Sequence, residues 1–130
     1  MSTNALICIT HDEGSFWIYK HWDGYPAGIK ACLERALERA WPLPRFESDE
    51  FAAAFVAANK TGSGDIRLVP SLKRHEMWFD FIYKVQASGA SMSVAIGHCT
   101  GMDDLDRITY DITWEGDWSR MHEAYEEDAA

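Results

Sequence analysis

Positive charge is scarce in this chain: 12 Lys and Arg stand against 21 Asp and Glu, for a formal net charge of -9 at pH 7. So acidic a surface repels phosphate backbones, and the one basic cluster, Lys73-Arg74-His75, is too small for an electrostatic footprint, which argues against direct nucleic-acid binding. Cysteine is equally sparse. Cys8, Cys32 and Cys99 are odd in number and form no C-x-x-C pair, which excludes a disulfide framework and points to a reducing cytoplasm. No apolar run approaches the ~18 residues of a membrane span, and the first residues lack the basic and apolar regions of a signal peptide. The expectation is a soluble cytoplasmic protein with no membrane partner.

Chemical motifs are missing as well. His11, His21, His75, His98 and His122 are scattered, without H-x-x-x-H or H-E-x-x-H spacing, so no metal is expected. Gly62-Ser63-Gly64 lacks the length and the Lys-Ser/Thr ending of a phosphate-binding loop and reads as a linker. Cys8 and Cys32 fall on apolar stripes and read as core residues. Cys99, before Thr100-Gly101, is the only thiol in a loop-like setting, and a reactive thiol needs a depressed pKa. No catalytic residue and no cofactor are assigned.

Apolar material is plentiful. Of the 130 residues 47% are hydrophobic and 13% aromatic, with six Trp. Each aromatic buries about 150–250 Å², so one domain spanning residues 1–130 can close a core without metal or disulfide staples.

Periodicity predicts the elements. Residues 5–10 and 15–22 read as a hairpin of two strands joined at His11-Asp12-Glu13-Gly14. In the second strand Phe16, Ile18 and Trp22 face one way and Trp17, Tyr19 and His21 the other, so both faces should be covered. Asp23-Gly24-Tyr25-Pro26 breaks the strand, with Asp23 as helix cap, and apolar residues at spacings of three and four predict a helix over 26–40. Its polar face pairs Lys30 with Glu34 and Arg35 with Glu38. Trp41-Pro42-Leu43-Pro44 stops it. Ser48 is the predicted cap of a second helix over 49–58 that buries Phe51, Ala54, Phe55 and Ala58, followed by a flexible loop over 59–64.

The second half reads as strands over 66–69, 78–85, 92–98 and 107–114, the last with Ile108, Tyr110, Ile112 and Trp114 inward and Asp111 outward. Residues 118–128 read as a short acidic helix or a frayed end. Segregated helices and late strands predict an α+β fold: a mainly antiparallel sheet of five or six strands with two helices packed on one face.

Two clusters are candidate sites. Residues 103–130 hold ten acids against two Arg, so eight of the nine net negative charges lie there. Asp103, Asp104, Asp106, Asp111, Glu115 and Asp117 form a field suited to a cationic receptor, with Trp114 and Trp118 as aromatic anchors. Solubility alone is the competing reason for such charge. The alternative is a small-molecule or catalytic site at the strand–helix junction, with His21 and Asp23 as an acid/base pair and Trp22 and Tyr25 as walls. Each junction residue also has a local job in turn or cap, which favours a structural role.

The stretch Ile18-Tyr19-Lys20-His21-Trp22-Asp23-Gly24-Tyr25-Pro26, with Phe51 to Lys60, Gly64 to Leu68 and Phe81 to Val85, resembles a group of small phage and mobile-element proteins that share an I-Y-x-H-W-D-G-Y-P motif. The resemblance spans roughly residues 6–85, leaves out the acidic end and carries no activity with it. It implies an anti-CRISPR-like context, in which a small acidic protein blocks a host defence complex by binding it. The expectation is a non-enzymatic inhibitor that mimics nucleic acid and docks on a basic, nucleic-acid-binding surface of a host protein.

Overall fold

The computed structural model describes residues 3–12, 14–70, 79–105 and 107–126. The predicted Lys73-Arg74-His75 cluster, Trp78, Asp106, Glu127 and Asp128 lie outside them. The elements are β1 (Ala5–His11), β2 (Gly14–Lys20), α1 (Pro26–Leu37), α2 (Ser48–Asn59), β3 (Ile66–Val69), β4 (Phe81–Ser88), β5 (Ser91–Met102), β6 (Ile108–Asp117) and a short α3 (Glu123–Glu126), preceded by a 3-10 turn at Trp118–Arg120. This is an α+β fold whose six strands run in the order β3-β2-β1-β4-β5-β6. All neighbours are antiparallel except β1 and β4, which are parallel.

The two central strands explain the run Ala5-Leu6-Ile7-Cys8-Ile9. Every one of these residues is buried, as a strand covered on both faces requires, so the apolar run is continuous rather than alternating. One face carries the main core, where Ile7, Ile9 and Ile18 meet Ile29, Leu33 and Ala36 of α1 and Phe51 and Phe55 of α2. The opposite face carries a smaller cluster of Leu6, Tyr19, Val69, Phe79, Ile82 and Ile108. Both faces of β2 are therefore used, as its aromatic alternation predicts, although the strand stops at Lys20 rather than 22.

The helices depart from expectation at their ends. α1 stops at Leu37, not Ala40, and its N-cap is Tyr25 without a side-chain bond, so Asp23 does not cap it. Ser48 is likewise not a cap: it is the first residue of α2, Glu47 precedes it as N-cap, and the Ser48 hydroxyl donates to the Gly14 carbonyl instead. Burial on α2 falls on Asn59 rather than Ala58. The Asn59 amide donates to the Cys32 and Phe55 carbonyls at 3.0 and 2.9 Å, and its oxygen accepts from Arg35 Nε at 2.8 Å. Arg35 thus serves the helix–helix joint rather than Glu38, while Lys30 and Glu34 pair at 3.6 Å as predicted. Truncation at a buried, satisfied amide costs about 1–3 kcal/mol. Asn59→Ala should lower the unfolding free energy by that amount, read as a lower urea midpoint with an unchanged slope.

The loop after α2 is organised around one carboxylate. Asp65, only 5% exposed, accepts from the backbone N–H of Thr61 at 2.8 Å and of Gly62 at 3.2 Å, from the Thr61 hydroxyl at 3.1 Å and from Lys60 Nζ at 3.3 Å. Its own carbonyl accepts from the His21 N–H, tying the loop to the end of β2. The Thr61 N–H leads in holding the Asp65 carboxyl well below the usual carboxylate range. A depressed folded pKa contributes stability that is fully present above the unfolded value of ~3.9 and is lost as pH falls through the folded value. Urea midpoints should therefore fall progressively below about pH 4, and Asp65→Asn should be less stable at neutral pH with a shallower acid limb.

β6 breaks the predicted alternation for a local reason. Gly97 pairs with Ile112 and Ile96 with Trp114, so Thr113 is an extra residue in the ladder. One inserted residue sends everything beyond it to the other face. Ile108 and Tyr110 face the smaller cluster, Trp114 packs on the helix-side core, and Ile112, predicted inward, is 47% exposed. β5 keeps its predicted alternation, with Met92, Val94 and Ile96 in the main core.

Candidate functional site

The acidic cluster lies along one open edge of the sheet. Among the described residues β6 has a single neighbour, β5, and its outer backbone edge is unpaired. The turn from β5 to β6 presents Asp103 and Asp104, and the strand presents Asp111, Glu115 and Asp117. At ~3.3 Å per residue the ten residues of β6 span about 30 Å, so these carboxylates form a long ridge rather than a compact patch.

Register assigns them to faces, because residues directly opposite in a ladder share one. Asp111 pairs with His98, whose ring lies 4.4 Å from that of Phe81 on the helix side. Glu115 and Asp117 pair with Ala95 and Ser93 and point to the other face.

Two of the carboxylates have local structural work. Asp103 accepts from the N–H groups of Arg107 and Leu105 at 3.0 and 2.9 Å and from Arg107 Nε at 3.2 Å, closing the turn. Asp117 caps the 3-10 turn, accepting from the Ser119 N–H at 3.0 Å and from the Ser119 hydroxyl. The Arg107 N–H leads in lowering the Asp103 pKa, and the Ser119 hydroxyl leads in lowering that of Asp117. Both therefore stay ionised below the ordinary carboxylate range. Asp104, Asp111 and Glu115 are exposed and have no ion-pair partner among the described residues.

The tryptophans are placed differently from the expectation of free anchors. Trp114 is half-buried against the core and lines a recess of about 300 Å³ with Pro26, Phe81, His98 and Tyr125. Trp118 packs on the same core, with Lys30 Nζ 5.8 Å from its ring. The apolar groups that do reach solvent beside the carboxylates are Met102 (39% exposed), Leu105 (64%) and Ile112. Periodicity gives Met102 and Leu105 no contact role and places Ile112 inward. Leu105, an apolar residue inside an Asp-rich turn, was the available signal, and the exposure of Ile112 depends on the Thr113 bulge.

The strand–helix junction divides its candidate pair. The Tyr19 hydroxyl and His21 Nδ1 lie 2.6 Å apart, and the His21 ring meets Trp22 edge-on at 4.6 Å. Asp23 and Tyr25 instead line a recess of about 320 Å³ with Lys20, Gly28 and Arg35, to which His21 does not contribute. The backbone has a strong claim on this segment. Asp23 has φ 55°, the Gly24 N–H donates to the Thr3 carbonyl at 2.9 Å, and the fully buried Tyr83 hydroxyl donates to the Gly24 carbonyl. A Cβ on Gly24 would lie 2.8–2.9 Å from Asn4 and Ala5, and one on Gly28 2.1 Å from the Asp23 carbonyl oxygen.

The thiols are not activated. Burial raises the pKa of Cys8 and Cys32 and pushes Cys99 up to about 11. Cys99 is a strand residue opposite Tyr110, not the loop thiol its flanking residues suggest. Among the described residues no group of three or more His, Cys, Asp or Glu is placed to hold a metal ion, and no helix is long and apolar enough to cross a membrane.

No protein-family model, curated protein or solved structure matches this chain.

Proposed function

We propose that the protein is a non-enzymatic acidic inhibitor that lays its β6 edge on a basic, nucleic-acid-binding surface of a host defence complex. The observation that carries this reading is the set of carboxylates Asp104, Asp111 and Glu115, without an ion-pair partner among the described residues, along β6 and the turn before it, flanked by Asp103 and Asp117, which their hydrogen bonds keep ionised. Met102, Leu105 and Ile112 add desolvatable contact beside the charge, and apolar groups ringed by polar ones are the usual anatomy of a protein interface. The ridge is long and narrow, as suits a groove shaped for a nucleic-acid strand. In the phage-like setting that the junction motif implies, that groove belongs to a CRISPR effector acting in the host cytoplasm.

The test is a gel-shift competition: a guide-loaded CRISPR effector, its labelled DNA target and increasing amounts of this protein. Displacement of the DNA that weakens steeply between low and physiological salt supports the proposal, because exposed charges are screened over ~10 Å at 0.1 M. Undisturbed DNA binding across a panel of effectors refutes it. A different observation supports a second role for the same charge: an unpaired edge strand is a template for edge-to-edge association, and charged side chains block it. If that is their whole role, neutralised protein aggregates and the native protein displaces nothing.

A further inference from the structure

A groove on the opposite side of the molecule from β6 has features that solubility and core packing do not require. α2 meets the edge of the sheet through small side chains, Ala52, Ala53, Val56 and Ala57, and the gap they leave against Phe16 and Leu68 is about 440 Å³. Phe16 is 42% and Leu68 75% exposed, two large apolar side chains left in water on the walls of one groove. Single exposed hydrophobics are ordinary; a lined groove of several hundred Å³ is the size that accepts a small molecule.

One end of this groove is polar. Phe16 and Asp49 also line an adjoining recess of about 190 Å³ with His11, Glu47 and Ser48. Glu47 is already paired with Arg45 at 3.3 Å, but the exposed Asp49 has no ion-pair partner among the described residues. The His11 ring packs on Phe46, and its Nδ1 is buried with no hydrogen-bond partner among the described residues. Asp49 calls for a group that donates protons and carries positive charge.

We infer that this groove binds an amphipathic organic cation, its apolar body lying along α2 between Phe16 and Leu68 and its ammonium head seated between Asp49 and His11. The chemistry excludes fatty acids, whose carboxylate would meet Asp49 and Glu47. The site shares no residue with the β6 ridge, so it stands or falls independently of the inhibitor proposal.

The test uses three probes with one body and different heads, octylammonium, octanol and octanoate, titrated below their aggregation limits into ¹⁵N-labelled full-length protein. Octylammonium should shift the amides of Phe16, Asp49, Ala53, Ala57 and Leu68, and should bind at least about tenfold more tightly than octanoate, a difference of ~1.4 kcal/mol. Asp49→Asn should remove the preference among heads while the spectrum stays folded. Ala53→Trp, at an exposed helix position, should fill the groove and abolish binding of all three. Equal affinity for the three heads, shifts elsewhere on the molecule, or no shifts at all would overturn the assignment. So would a concentration-dependent mass that Ala53→Trp abolishes, which would give the groove to a second copy of the chain.

Discussion

Gly28→Ala is expected to destroy the folded state, although it replaces the poorest ordinary helix former with the best. Propensity alone predicts that the change inside α1 stabilises by up to about 1 kcal/mol. The neighbouring backbone predicts the reverse: Asp23 turns the chain back on itself with φ 55°, and its carbonyl oxygen would stand 2.1 Å from the new Cβ. A contact more than 1 Å too close, against backbone rather than a flexible side chain, must displace the whole turn, at a cost on the order of 3 kcal/mol or more. The displaced turn contains Gly24, whose N–H and carbonyl are bonded to Thr3 and Tyr83, so further buried bonds go with it. Against a typical total stability of 5–15 kcal/mol, the variant should show a broad, low-temperature melt by circular dichroism and collapsed amide dispersion. A native-like melt would show that the turn yields cheaply, and that the glycines of the W-D-G-Y-P-A-G segment are held for another reason.

The same segment shows what a sequence can disclose. Its residue types announce a strand end and a helix start, and both occur, at Lys20 and Pro26. The placement of Tyr83 beneath Gly24 is invisible from the chain, because the two are 59 residues apart and no local pattern links them. Asn59 and Asp65 were hidden for a related reason. Asn-Lys-Thr-Gly-Ser-Gly-Asp has the composition of a flexible loop, yet a buried amide and a buried carboxylate with several donors give that loop a defined path. The sheet was legible wherever burial imposes period two, as in Met92, Val94 and Ile96. It became illegible where a bulge inserts one residue, at Thr113.

For the acidic segment, sequence reading found the charge but not its arrangement. Ten carboxylates in 28 residues suggest a patch. β6 and the turn before it draw Asp103, Asp104, Asp111, Glu115 and Asp117 into a ridge, divide those of the strand between two faces, and commit Asp103 and Asp117 to turn and cap. The tryptophans, chosen as anchors for their size, are taken up by the core, and the exposed apolar contacts pass to Met102, Leu105 and Ile112. The junction His21 and Asp23, adjacent in sequence to one another's neighbours, are parted because Tyr19 holds His21 on the face of the sheet away from the helices.

The second large effect is expected from removing the free charge on that ridge. Asp104→Asn, Asp111→Asn and Glu115→Gln together erase three charges without breaking an ion pair of the fold, since none of the three side chains pairs with another described residue. Stability should change by no more than about 0.5 kcal/mol, as for surface substitutions away from structural features. Association with a basic receptor should suffer far more. Close charge pairs across an interface have coupling energies of ~1.5 kcal/mol and upward, so losing three should weaken binding by about a thousandfold or more. Asp103→Asn, by contrast, opens the β5–β6 turn and mixes the loss of fold with the loss of charge, and is the poorer probe.

The most direct measurement is therefore the inhibitory titre of the triple variant beside the native protein, in the effector–DNA competition, at low and at physiological salt, with both proteins shown to be monomeric and folded. The inhibitor account predicts a native protein that displaces DNA strongly at low salt and less at high salt, and a folded variant that displaces almost none at either. Equal potency of the two proteins, or displacement indifferent to salt, would contradict it.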